Sequence, residues 1–348
     1  MRAVVVHAAR DLRIGAVETG APGAGQVRVR IEVGGICGSD LHYFHEGRIG
    51  TITLKEPMVL GHEVAGRIES LGPALGGAVS GLAVGDRVAL DPSRPCGACR
   101  FCREGRQIHC LDMRFYGSAM RFPHVQGAFR EAIVAEAAQC HVVPATLSAG
   151  AAAMAEPLAV CLHAVNRAGP MLGRRVLVTG SGPIGALCVL AARRAGAAEI
   201  VATDLDDAPG AIVRQLGADR FINVMREPDA LKAYAPDKGQ FDVMLEASGS
   251  DKALAVALEL VRPRGIIVQV GIGGVGSLPL NVIVAKEIDL RGTFRFHEEF
   301  ALAVTLLAKR LVDVTPLITA TLAFTDATAA FELASDRQRS MKVQLAFG

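Results

Sequence analysis

Four cysteines crowd one short segment: Cys96, Cys99, Cys102 and Cys110, spaced C-x2-C-x2-C-x7-C and interrupted by Pro95, Gly97 and Gly105. Four thiolates on so short a loop wrap a tetrahedral Zn²⁺ completely, which makes a structural site with no open position. Iron–sulfur clusters also use tight cysteine spacing, but this run lacks the Cys-x3-Cys-Pro ending of bacterial ferredoxins. A closed four-thiolate site does no Lewis-acid chemistry, so a reaction at a metal needs a second site with an exchangeable position. Candidate ligands for that site are dispersed: Cys37 in GGICGSDLH, His62 and Glu63 in VLGHEVAG, and Glu156 in AEPLAV. Each sits in a Gly-rich or Pro-marked turn. Taken singly, His62 also reads as a hydrogen-bonded core histidine, and Glu156 as a charge at a helix N-terminus. The remaining Cys140, Cys161 and Cys188 lie in apolar text and read as core.

A second constellation is GSGPIG, from Gly180 to Gly185, directly after an apolar strand pattern and at the opening of a helical one. A lone G-x-G-x-x-G is weak evidence. Here the context is complete, because Asp204 closes the next strand 19 residues after Gly185. Gly180 permits the tight turn, Gly182 lets a pyrophosphate approach the backbone, and Gly185 allows helix to pack on strand. Pro183 and Ile184 begin the helix, whose N–H groups suit phosphate oxygens. A carboxylate at Asp204 accepts ribose hydroxyls and repels a 2′-phosphate, so NAD is favoured while NADP stays possible. The alternative is a doubly wound sheet that binds no nucleotide.

These residues need a scaffold of two kinds. Up to about residue 90 the chain shows short alternating runs, such as VRVRIEV with Val27, Val29, Ile31 and Val33 on one face, and no helical pattern. From Arg174 strands and helices alternate: RRVLVTG, the helical PIGALCVLAARRAG, AEIVATD, a helix reaching Gly217, FINV, FDVMLEAS, the helical DKALAVALELV, GIIVQVG and EIDLRGTF. Strands this apolar indicate a parallel sheet buried on both faces. The closing KVQLAFG reads as a strand that rejoins the first domain. The expected fold class is therefore α/β, a doubly wound parallel sheet over 149–291 plus a β-rich domain from 1–148 and 292–348.

Composition narrows the function. The 348 residues, 51% hydrophobic and 21% charged, exclude a disordered chain and support a large core in two domains. A net charge of +2 is too balanced for an electrostatic nucleic-acid binder. The most apolar stretch, Leu147 to Val165, carries Glu156, Pro157 and His163, which excludes a membrane span. The start, MRAVVVHAAR, lacks a signal-peptide pattern, and a cytoplasmic location is expected. Glycine is the anomaly at 38 residues, in clusters such as GGICGSD and VGIGGVG.

Together these segments resemble the zinc-dependent medium-chain dehydrogenase/reductase superfamily over essentially the whole chain, and within it the polyol dehydrogenase branch. The stretches that carry the resemblance are GGICGSDLHY, EPMVLGHEVAG, PSRPCGACRFC, DMRFYGSAMRFPHVQGAF, AEPLAV, GPIG and AKEIDLRGTFRF. The resemblance implies a Rossmann domain beside a GroES-like catalytic domain, two zinc ions per subunit, and NAD. It implies that Cys37, His62 and Glu63 hold the catalytic zinc, with Glu156 a fourth ligand or a neighbour that exchanges with water. Asp40 matches the carboxylate that orients the ligand histidine, and Ser39 and His42 match the proton relay. Val270, Gly271 and Ile272 fall among cofactor contacts. The implied reaction is oxidation of a secondary alcohol. Zinc acidifies bound oxygen, taking water from a pKa of about 15.7 to about 7, and hydride passes to nicotinamide.

RFYGSAMRFPHVQG turns the implied substrate from a neutral polyol such as sorbitol or xylitol toward the sugar acid L-idonate, which would give 5-keto-D-gluconate. An L-threonine dehydrogenase is a weaker alternative, and a non-catalytic nucleotide-binding member a different class. The anionic substrate calls for a cation, for which Arg114, Arg121 and Arg295 are candidates with Tyr43 as a further contact. These arginines also read as rim or inter-subunit residues. The resemblance implies a homotetramer, with a dimer as the smaller form.

Overall fold

The computed structural model describes residues 1–73, 81–273 and 276–348, so residues 274 and 275 of the VGIGGVG segment lie outside it. Two compact units emerge. The first comprises Met1–Glu156, Phe300–Asp336 and Lys342–Gly348; the second comprises Pro157–Glu299 and Arg337–Met341. The chain changes units eight residues after each of the boundaries expected from sequence, 148 and 291.

In the first unit the Gln26–Gly35 strand is the hub. It pairs antiparallel with Glu63–Leu71, Ala132–Glu136 and Lys342–Ala346, and the sheet continues through Arg87–Leu90 to Cys140–Val142 on one side and to Ile318–Ala323 on the other. KVQLAFG thus supplies a strand of this sheet. Val27, Val29 and Ile31 are buried in alternation, but a register shift between Ile31 and Val33 breaks the pattern and leaves Val33 half-buried. With no tryptophan in the chain, phenylalanines anchor the core: Phe331 stands edge-on to Phe44 and Phe129 at 5.4 and 6.5 Å.

One expectation for this region is corrected. The first 90 residues do contain a helix, Gly38–Glu46, and Cys37 caps it where a turn was expected. Asp40 accepts the Cys37 backbone N–H at 3.0 Å, which is half of a capping box and fixes the helix start. Gly47 ends the helix at φ 66°, a left-handed cap that glycine adopts freely.

The second unit is a six-stranded parallel sheet in the order Arg220–Asn223, Glu199–Asp204, Arg175–Thr179, Phe241–Glu246, Val261–Gln269, Asp289–Gly292. The chain starts at the middle strand, builds outward one way and then the other. That leaves a topological switch point between Arg175–Thr179 and Phe241–Glu246. The helix expected to reach Gly217 runs Gly210–Gln215, with Gly217 at φ 117° just beyond it. The DKALAVALELV helix stops at Leu260, and Val261 already belongs to the next strand.

Candidate active site and nucleotide crevice

The Cys96–Cys110 lobe converges four sulfurs. Cys99 Sγ lies 3.6 Å from Cys102 Sγ and 4.0 Å from Cys110 Sγ, and Cys96 Sγ lies 4.0 Å from Cys102 Sγ. A tetrahedron with Zn–S bonds of about 2.3 Å has edges of about 3.8 Å, so the four residues fit zinc. Backbone N–H groups turn inward as well: Cys99 donates to Cys96 Sγ at 3.3 Å, and Cys96 and Asp112 donate to Cys110 Sγ at 3.1 and 3.3 Å. Gly97 and Gly105, at φ 72° and 73°, make the reversals. Donors from Leu111 and Cys102 lower Cys99 to a pKa of about 6, while burial pushes Cys102 up to about 12.

A second centre is buried in the same unit. Ligand atoms of Cys37, His62 and Glu63 all lie within 4.8 Å of one another; Glu156 is not a member of that cluster. Each is delivered by a different device. Cys37 caps the Gly38–Glu46 helix, Glu63 opens the Glu63–Leu71 strand, and Glu156 occupies the first turn of the Ala155–Ala168 helix. Gly35 makes room for the acid, because a Cβ there would stand 2.2 Å from Glu63 Oε2. Phe115 packs against the His62 ring at 5.5 Å.

The electrostatics of this centre call for a cation. Burial raises Cys37 to a pKa of about 11, reinforced by the Glu63 charge, and burial holds Glu156 well above the carboxylate range. His62 Nδ1 is buried without a hydrogen-bond partner and faces Asp40 Oδ1 at 3.8 Å. Asp40 is itself fully buried and accepts the Gly61 N–H at 3.1 Å. A thiol, an imidazole and carboxylates gathered out of water are a donor set for a divalent ion, and zinc accepts all three types.

Sequence reasoning missed one member. Lys342 Nζ donates to both Glu63 oxygens at 2.8 Å and to the Ile36 carbonyl at 3.1 Å. Burial alone would lower this lysine, but the Glu63 and Cys37 charges outweigh it and hold it above its ordinary value. Ser39 is half-buried in the first turn of the Gly38–Glu46 helix. His42 is exposed, with Nδ1 3.3 Å from Glu46 Oε1.

The expected substrate contacts are distributed unevenly. Tyr43 is 2% exposed and its hydroxyl accepts the Ala119 N–H at 3.0 Å, which ties the helix to the 118–121 turn. Arg114 is exposed in a two-residue strand, and Arg121 pairs with Asp112. Arg295 belongs to the other unit, where its guanidinium lies 4.9 Å from the Phe294 ring centroid.

In the second unit the glycine loop has the required stereochemistry. Gly180 sits at φ 78° against Ser248, and a Cβ on Gly185 would stand 1.7 Å from the Gly180 carbonyl oxygen. At Gly182 a Cβ would meet nothing within 4 Å, so the backbone there is open to approach. Gly182 caps the Pro183–Arg194 helix, with Pro183 and Ile184 in its first turn. Asp204 ends its strand and accepts N–H groups from Ser181 and Leu205, both at 2.7 Å. Across the switch point Glu246 is wholly buried and accepts from Thr179 Oγ1, Ser248 N and Gln269 Nε2, which joins the ends of three strands. Val270 and Gly271 donate to the Glu246 carbonyl, and Ile272 is exposed beyond them.

Comparison with known proteins places these centres in a family. Residues 23–145 match the alcohol dehydrogenase GroES-like domain, and residues 183–309 match the zinc-binding dehydrogenase domain. The chain is 44% identical to L-idonate 5-dehydrogenase (NAD(P)(+)) of Escherichia coli over 92% of its length and 91% of the relative's. It is 37% identical to sorbitol dehydrogenase of Bacillus subtilis, over 92% of this chain and 89% of that one. The crystal structure of the E. coli L-idonate 5-dehydrogenase superposes with a TM-score of 0.93, at 41% identity, covering 99% of this chain and 97% of the other. The chain belongs to the zinc-binding alcohol dehydrogenase family, with a GroES-like part and a Rossmann-type part.

Proposed function

We propose that this family member oxidises a secondary hydroxyl of a sugar acid, L-idonate to 5-keto-D-gluconate, with NAD as hydride acceptor. The observation that carries the reading is the buried cluster of Cys37, His62 and Glu63 with Lys342 against it. Zinc held by the first three, with Glu156 as a fourth ligand or exchanging neighbour, supplies Lewis acidity toward the substrate hydroxyl. The protein's own groups do the rest. Asp40 orients the His62 ring, and Lys342 offsets the Glu63 charge. Ser39, at the helix start, takes the substrate proton as it gives up its own hydroxyl proton, and His42, on the exposed face one turn on, passes a proton to water. The glycine loop and Asp204 hold the dinucleotide, with Gly182, Val270, Gly271 and Ile272 lining its path.

The similarity to the E. coli enzyme supports a sugar acid. Arg114, Arg121 and Arg295 are the proposed partners of its carboxylate, with Tyr43 setting the loop beside them. A reducing, cytoplasmic setting is supported by eight free cysteines, four of them needed as zinc thiolates. No helix among the described residues is long and apolar enough to cross a membrane. A homotetramer, or at least a dimer, is supported by Asp289–Gly292, which ends the sheet with one edge unpaired among the described residues. Leu280, Val284 and Leu290 are exposed on and just before it.

The reading is tested with Cys37→Ser. Turnover should vanish and metal analysis should lose one zinc per chain, while NADH titration by fluorescence stays unchanged. Retained turnover overturns the assignment. Sedimentation of the purified protein gives the assembly, and a monomer at micromolar concentration would refute it.

A further inference from the structure

Among the described residues of the second unit, Glu246 is the only buried acid, and the proposed reaction gives it no part. Its partners are neutral donors. Oε1 accepts from Thr179 Oγ1 at 3.2 Å, from the Ser248 N–H at 2.8 Å and from the Ser248 hydroxyl. Oε2 accepts from the Gly249 N–H at 2.9 Å and from Gln269 Nε2 at 2.5 Å. A buried carboxyl is stable only where donors replace its hydration, so each of these bonds is held in place. The donors come from the end of Arg175–Thr179, the turn after Phe241–Glu246 and the end of Val261–Gln269. These are the carboxyl ends of neighbouring parallel strands, the edge at which open α/β sheets bind ligands. The loops that follow touch one another: a Cβ on Gly180 would stand 2.8 Å from Ser248, and one on Gly271 2.3 Å from the Gly249 nitrogen. Gln269 Nε2 also donates to the Gly271 carbonyl at 2.9 Å. None of the Glu246 bonds reaches the Glu199–Asp204 strand.

We propose that Glu246 is a positioning residue for the pyrophosphate and nicotinamide half of the dinucleotide. One buried acceptor sets the spacing of three loops, while the adenosine half at Asp204 is held independently of it. The proposal rests on the reading of the glycine loop as a dinucleotide site. Gly180 and the open backbone at Gly182 follow the first strand, and Val270 and Gly271 follow the third. The donor set explains why the residue is an acid. A glutamine has one acceptor and two N–H donors, so either way round its nitrogen meets a backbone N–H, that of Ser248 or that of Gly249. With the nitrogen in place of Oε2 it also faces Gln269 Nε2, and the third loop loses its tie to the other two.

The test is calorimetric titration of the full-length, zinc-loaded protein with 5′-AMP, ADP-ribose and NADH. Wild type is compared with Glu246→Gln and with Gln269→Met, which keeps the acid and removes only its tie to the third strand. Glu246→Gln should bind NADH at least about tenfold more weakly, the worth of one charge-assisted hydrogen bond, while 5′-AMP changes less than about twofold. ADP-ribose should weaken with NADH, because its pyrophosphate already needs the Gly180 turn. Gln269→Met should weaken NADH by about threefold or more and spare 5′-AMP, and it carries the test alone where Glu246→Gln fails to fold. Equal losses for 5′-AMP and NADH would mark Glu246 as a general support of the fold and overturn the positioning role. Unchanged NADH affinity in the variants overturns it too. Failure of 5′-AMP and NADH to bind even the wild type overturns the dinucleotide reading beneath it.

Discussion

A lysine ammonium removed from water is stable only where anions replace its hydration, and Glu63 does this for Lys342 with both of its oxygens. Lys342→Met should therefore destabilise the zinc-free protein by about 3–5 kcal/mol, since Glu63 is left buried and unpaired. Zinc should recover part of that loss by taking over the carboxylate. Chemical denaturation with and without chelator measures both numbers; an equal, small effect in the two forms would show that Glu63 does not depend on the lysine. Cys37, His62 and Glu63 were candidates as ligand types in Gly- and Pro-marked segments, but it was the resemblance of GGICGSDLHY and EPMVLGHEVAG to the family that grouped them into one set. Lys342 was not, because 279 positions separate it from Glu63 and nothing local marks a lysine as buried. Tyr43 shows the same limit: its hydroxyl finds Ala119, 76 positions on, only once the helix is docked.

Elements translate those residues into geometry. The cysteine lobe carries almost no regular structure, only Arg100–Arg103 and Gln107–His109, so metal must supply its rigidity. Cys99→Ser should cost one zinc per chain and lower the melting temperature while Cys37 keeps its own ion. Unchanged zinc content and melting would refute the structural site. The parallel strands of the second unit were readable because burial on both faces demands continuous apolar runs. The Gly38–Glu46 helix was not, because its opening Cys-Gly-Ser looks like a turn and its buried positions include Asp40 as well as Tyr43 and Phe44. The Val261–Gln269 strand starts before its apolar run. Pro263 and the positive φ of Arg264 fall where the register with Phe241–Glu246 shifts, which lets a proline lie inside a sheet.

At the scale of the molecule, the proposed metal chemistry falls in one unit and the proposed nucleotide site in the other, and the chain leaves and re-enters the first unit. That return was visible in the KVQLAFG strand pattern; the two helices before it, Glu299–Ala308 and Ala327–Ser335, were not resolved from mixed text. Substrate choice is the property of the whole enzyme that a kinetic comparison reads directly. The most direct measurement is NADH formation by the zinc-loaded enzyme with L-idonate, run in parallel with sorbitol and xylitol. The account predicts a kcat/KM for L-idonate at least about tenfold above either polyol, as one charged contact to the carboxylate provides. Equal or higher kcat/KM for the neutral polyols would contradict the sugar-acid assignment and leave the arginines without a substrate role.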